Sequence, residues 1–236
     1  TKGGGHGDYH LIVLAPSTVQ EMADFVALGF DLAFKYRTPS MILADGIVGQ
    51  MMEKVVLPPQ RPRRTAEEIE RQCPWAVTGR KGGRARNVVT SLELDSAIME
   101  KNNERFQRTY REIEKNEVRY EARYTDDADY LIVAFGSIAR ICLKAIEEAR
   151  KEGIRIGLIR PITLWPFPYE AIREAAKGVK GILCVEINAG QMIEDVRLAV
   201  SDSVPVCHFG RMGGIVPNPQ EVLDALHKDF INPAKA

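Results

Sequence analysis

From Ala128 onward the chain alternates short apolar runs with amphipathic stretches, and few folds accommodate that alternation. The runs "DYLIVAFGS", "IRIGLIRP", "GILCVEIN" and "VPVCHFG" have the length and β-branched content of buried strands. Between the first two, Ile138, Cys142, Ala145, Ile146 and Ala149 recur at helical spacing, with Ser137 as a candidate cap and Gly153 as a stop. "PFPYEAIREAAKG" is a short helix, with Pro168 near its first turn and Gly178 past its end. "GQMIEDVRLAV" is another helix, and Asn218, Pro219 and Glu221 set a capped start for "QEVLDALHKDF". Strands alternating with helices predict an α/β, doubly wound parallel sheet over residues 126–236.

The N-terminal stretch repeats the pattern in miniature. "HLIVLAP" is a short buried strand, and Ser17 with Gln20 offers a capping box for a helix. Apolar residues at 19, 22, 26, 30 and 33 keep helical spacing, Lys35 and Arg37 close the helix, and Pro39 stops it. "SMILADG" is a second strand, so residues 1–57 contain a βαβ unit, expected to be parallel and right-handed. Residues 58–125 differ. Over 58–90 there are eight Lys and Arg against three Glu, among Pro and Gly, which predicts an extended basic linker. A charged helix follows over 96–121, with a thin apolar stripe of Phe106, Tyr110 and Ile113.

Charge and composition exclude several functions. Lys and Arg balance Asp and Glu, leaving a formal net charge of +0, so overall charge selects neither nucleic acid nor an acidic partner. The run "YLIVAF" is far too short to span a bilayer, and no signal-peptide pattern opens the chain; a cytoplasmic location is expected. Cys73, Cys142, Cys184 and Cys207 are scattered, so they form neither a zinc site nor an iron–sulfur cradle, and no metal site is assigned.

Five groups of residues carry candidate chemistry. Backbone amides of Gly3, Gly4 and Gly5 can form an anion nest, with Lys2 adding charge; the alternative is a flexible terminus. His6, Asp8 and His10 alternate along an extended segment and share a face, as metal ligands or as a polar loop touching a ligand or partner. Asp45 ends a parallel strand, where open α/β sheets bind ligands. It is not part of a thiamine diphosphate motif: Ala44 replaces the first Gly of G-D-G, and Asn102 and Asn103 follow too far on. The basic linker, with Arg61, Arg63, Arg64, Arg80, Lys81, Arg84 and Arg86, either grips phosphates or is a solvated connection. Glu186 is either catalytic or structural, capping the helix after it or meeting a neighbouring subunit, with the structural role favoured.

Taken together, "KGGGHGDYHLIVLAPSTVQEM" and "KYRTPSMILADGIVGQMMEKV" resemble the thiamine-pyrimidine-binding domain of 2-oxoacid:ferredoxin oxidoreductase alpha chains. "AFGSIAR", "IRPITLWPFP", "VEINAGQM" and "GRMGGIVPNPQEV" resemble the transketolase C-terminal-like domain that follows it. The resemblance implies that 1–57 is the C-terminal part of the pyrimidine domain, 58–125 a linker and charged helix, and 126–236 the transketolase-like domain. It implies a fragment that begins inside an active-site loop, inactive by itself. The KGGGHGDY loop points to the 3-methyl-2-oxobutanoate (2-ketoisovalerate) branch, with 2-oxoglutarate, pyruvate or a non-catalytic assembly role as alternatives. The implied reaction is oxidative decarboxylation of a 2-oxoacid to acyl-CoA and CO₂, with electrons passed to ferredoxin. Thiamine diphosphate, Mg²⁺ and [4Fe-4S] clusters are then expected mainly on partner beta, gamma and ferredoxin-like subunits, with coenzyme A and ferredoxin as further partners and no nucleic acid or membrane. Within this chain, side-chain chemistry and the resemblance together give His6 a catalytic role and Lys2, Gly3, Gly4, Gly5 and Asp8 substrate or cofactor binding, and its place at a strand end gives Asp45 a ligand-facing role.

Overall fold

A computed structural model describes residues 3, 5–77, 79–80 and 85–232. Residues 1–56 and 109–236 form one compact unit and residues 57–108 a second.

The first unit opens with β1 (Ile12–Leu14), every residue of which is buried. Helix α1 (Val19–Tyr36) follows. Its cap is Thr18, one residue later than the Ser17 expected, and Thr18 accepts from the Glu21 amide. Ser17 instead donates from both its amide and its hydroxyl to Glu21 Oε2, at 2.7 and 3.0 Å, so the first turn is held through Glu21 and the expected Ser17–Gln20 capping box does not form. β2 (Ser40–Ile42) pairs parallel with β1, Val13 opposite Met41, as a βαβ unit requires. Helix α2 (Gly46–Gln50) then occupies a stretch too short for its periodicity to be read.

In the second unit, helix α3 (Ala66–Gln72) stands within the expected extended linker. Thr65 and Glu68 form its full capping box, a signal present in the sequence but overlooked among the Pro and Arg residues. Helix α4 (Ser96–Asn116) ends five residues short of the expected 121, because β3 (Tyr120–Arg123) begins there. In the first unit, its Tyr110 and Ile113 are buried against β1 and Trp165.

The remainder is the expected doubly wound domain. β4 (Tyr130–Val133), α5 (Ser137–Lys151), β5 (Ile156–Pro161), β6 (Thr163–Trp165), α6 (Tyr169–Ala175), β7 (Gly181–Glu186), α7 (Met192–Val200), β8 (Val206–Gly210) and α8 (Pro219–Leu226) follow in order. The five-stranded sheet has the order β3-β5-β4-β7-β8. Its last four strands are mutually parallel, and β3 is antiparallel to β5. Side chains alternate across it. Leu131 and Val133 face α6 and α7, whereas Ile132 and Ala134 face α5 and α8. The predicted inner face of α5 is fully buried. Ser137 does not cap that helix; Gly136 holds the cap position, without a side-chain bond.

Two features join the N-terminal strands to this domain. β6 leaves the large sheet and pairs antiparallel with β1, giving a three-stranded sheet β2-β1-β6 with Trp165 opposite Val13. Arg160 of β5, 6 % exposed, places its guanidinium on Glu21 at 2.8 and 3.0 Å and on Glu121 at 2.9 Å. One buried cation thus holds the first turn of α1 and the edge strand β3 together.

Candidate functional site

The glycine loop precedes β1 and curls over one aromatic ring. A Cβ on Gly3 would stand 3.1 Å from the Tyr9 carbonyl oxygen, and one on Gly5 would stand 3.4 Å from the Tyr9 hydroxyl. Gly7 has a φ of 121°, a conformation that L side chains rarely adopt. Glycine is therefore used here for close approach and for one left-handed turn. Lys2 and Gly4 lie outside the described residues. His6 and Asp8 are exposed at the outside of the loop, while Tyr9 and His10 are half-buried.

His10 parts company with His6 and Asp8. Its imidazole stacks on Trp165, centroids 4.7 Å apart and planes 14° apart. It also meets the Tyr110 ring edge-on at 5.2 Å. The geometry follows from topology: β6 runs antiparallel to β1, so its last residue returns to where the glycine loop enters. Among the described residues, no group of three His, Cys, Asp or Glu side chains could hold a metal ion.

Asp45 stands apart from this loop. The loop leads into the start of β1, whereas Asp45 follows the end of β2, and the two strands are parallel. The structure therefore puts the glycine loop and Asp45 at opposite ends of the small sheet. Asp45 Oδ1 accepts from the amides of Ile47 and Val48 at 3.1 and 2.9 Å, capping α2. Its Oδ2 accepts from the Ser137 amide at 3.0 Å, at the start of α5. One carboxylate thus serves two helix N-termini, where backbone N–H groups otherwise lack partners. Beside it, Arg140 of α5 pairs with Glu53 at 2.8 Å, and Glu53 accepts from the Val19 amide.

Glu186 ends β7 and is 1 % exposed. Its carboxylate accepts from the amides of Gln191, Met192 and Ile193 at 2.8–3.2 Å, so it caps α7 from five to seven residues upstream. Cys184 Sγ lies 3.6 Å and His208 Nε2 3.8 Å from the same carboxylate oxygen. Burial pushes the Cys184 thiol well above its ordinary pKa, with the neighbouring carboxylate adding to the shift.

A polar cluster that the sequence analysis did not single out is centred on Glu117, 4 % exposed. It accepts from Lys35 Nζ at 2.6 Å, Tyr36 hydroxyl at 2.7 Å and Arg119 at 3.0 Å. Burial alone would raise its pKa, but the bonds from Lys35 and Tyr36 and the two cations bring it below the ordinary carboxylate value. The open groove of about 840 Å³ between β3 and α6 is lined by none of the predicted site residues.

The fold is a doubly wound α/β domain whose small sheet carries a βαβ unit, and comparison with known proteins specifies the family. Residues 6–123 match the model for the thiamine diphosphate-binding domain of pyruvate flavodoxin/ferredoxin oxidoreductases. Residues 128–222 match that for pyruvate:ferredoxin oxidoreductase core domain II. The chain belongs to the family of 2-oxoacid:ferredoxin oxidoreductase subunits. It is 44% identical over 227 residues to ketoisovalerate oxidoreductase subunit VorB of Methanothermobacter thermautotrophicus, covering 96% of this chain and 62% of that one. It is 34% identical over 248 residues to 2-oxoglutarate synthase subunit KorA of Methanothermobacter marburgensis, covering 94% and 65%. Among solved structures, the 2-oxoglutarate:ferredoxin oxidoreductase of Magnetococcus marinus superposes with a TM-score of 0.73 at 19% identity, over 95% of this chain and 43% of that one. The chain thus spans about three-fifths of the length of these curated relatives.

Proposed function

We propose that this chain is the alpha-type subunit, in part, of a 2-oxoacid:ferredoxin oxidoreductase acting on 3-methyl-2-oxobutanoate in the cytoplasm. The carrying observation is the 44% identity to a ketoisovalerate oxidoreductase subunit along 96% of the chain, ten points above the 2-oxoglutarate synthase subunit. The overall reaction takes a 2-oxoacid, coenzyme A and two oxidised ferredoxins to acyl-CoA, CO₂, two reduced ferredoxins and a proton. The described residues do not fit the diphosphate end of thiamine diphosphate. Both Asp45 oxygens are engaged by backbone amides, and no metal cluster forms among the described residues. By the family resemblance, that end of the cofactor, its Mg²⁺ and the [4Fe-4S] clusters belong mainly to beta, gamma and ferredoxin-like partners.

What this chain supplies is a wall of the substrate cleft. In the glycine loop His6 and Asp8 are exposed; the His6 imidazole serves as hydrogen-bond donor or proton shuttle, and Asp8 orients the loop. Lys2 and the Gly3–Gly5 amides are assigned to the substrate carboxylate.

The test uses the full-length parent chain co-expressed with its genomic neighbours and purified anaerobically. Viologen reduction is followed with coenzyme A, thiamine diphosphate and a panel of 2-oxoacids. Fastest turnover on 3-methyl-2-oxobutanoate is expected. Preference for 2-oxoglutarate or pyruvate overturns the substrate, and no activity on any 2-oxoacid overturns the enzyme reading in favour of an assembly module.

A further inference from the structure

We infer that His10 is a positioning residue, whose ring, docked on Trp165 and Tyr110, fixes the base of the glycine loop and so sets where His6 and Asp8 stand. This rests on the loop lining the substrate cleft, as proposed above.

The observations concern rigidity. Four glycines among residues 3–7 leave the loop with high backbone entropy to lose when it orders. The His6 side chain on it is exposed, so it contributes little packing to hold the loop. The loop is anchored where it enters β1. There Tyr9 and Leu11 pack at the edge of the β1–α1 core, and His10 lies flat on the indole of Trp165. That indole is a fixed platform: it is 4 % exposed and sits on a strand paired with β1. Tyr110, also buried, closes the arrangement edge-on to both partners, 5.2 Å from His10 and 5.7 Å from Trp165. Each approach falls within the centroid range in which ring pairs attract beyond simple area burial. The rings come from three distant stretches of chain, so the loop base is located relative to β1, α4 and β6 at once. A displacement of about 1 Å at a catalytic group costs on the order of 100-fold in rate, which gives such an anchor its leverage.

Two substitutions separate the ring from its nitrogens. His10→Phe keeps an aromatic face for Trp165, whereas His10→Ala removes it. In the 236-residue chain, amide hydrogen exchange across residues 3–11 is expected to speed up roughly three- to tenfold in His10→Ala and to stay near wild type in His10→Phe. Trp165 emission, read in a Trp75→Phe background, is expected to change in His10→Ala and much less in His10→Phe. In the assembled complex, His10→Ala is expected to lower kcat and raise the KM for the 2-oxoacid, with His10→Phe restoring both. Unchanged exchange in His10→Ala overturns the inference. So does loss of turnover in His10→Phe with exchange preserved, because the imidazole nitrogens would then act in the chemistry directly. If the wild-type complex turns over no 2-oxoacid, the proposed function falls, and exchange and emission still decide whether the ring is the anchor.

Discussion

At the scale of single residues, the buried carboxylates define what the chain does with charge. Glu186 and Glu117 are nearly inaccessible, yet each is fully engaged: Glu186 by three backbone amides, Glu117 by a lysine, a tyrosine and an arginine. Glu186 was legible in the sequence as a cap, since it ends an apolar run just before a helix. Glu117 was not, because its partners are distant in sequence. Its carboxyl is held below the ordinary value of 4.5, so its stabilisation is complete above that pH and is lost as pH falls through the depressed folded value. Glu117→Gln is therefore expected to cost about 1–2 kcal/mol at pH 7, modest because Lys35 and Arg119 are well exposed. The gap to wild type should narrow below pH 4.5 and close under more acid conditions. Urea denaturation at a series of pH values checks this; a gap that persists in acid would exclude the carboxylate as its source.

At the scale of elements, the meeting of Asp45 with α5 shows how a local rule is overridden by a distant residue. Ser137 sits where a cap is expected, but the helix starts one residue earlier, at Gly136 with a φ of 65°. A Cβ on Gly136 would stand 3.0 Å from Asp45 Oδ2, so glycine is required by conformation and by the approaching carboxylate. Gly136→Ala is expected to destabilise by roughly 1–3 kcal/mol. Pairing it with Asp45→Ala tests the contact, because the double variant should lose less than the sum of the two singles. Strict additivity would leave backbone conformation as the whole cost. Three of the elements that sequence patterning missed, β3, β6 and α2, run only three to five residues, below the span over which periodicity can be read, whereas α3 is longer and was marked by its capping box.

At the scale of the whole molecule, the first unit is made from two stretches far apart in sequence. Arg160 is the residue that most directly ties them, bonded to Glu21 near the start of the chain and to Glu121 on β3. Arg160→Met is expected to cost roughly 3 kcal/mol, since two half-buried carboxylates lose their shared cation. Urea unfolding followed by far-UV dichroism measures it, and a loss under 1 kcal/mol would show that the β1–β6 pairing suffices. The sequence by itself determined the doubly wound C-terminal sheet, the parallel β1–α1–β2 unit and the family motifs, because hydrophobic period, caps and stops are local. Only the tertiary structure decided that β6 crosses to join β1, that His10 rests on Trp165, and that Asp45 joins two helix ends away from the glycine loop. Each depends on contacts between residues tens to more than a hundred positions apart, which local periodicity does not encode.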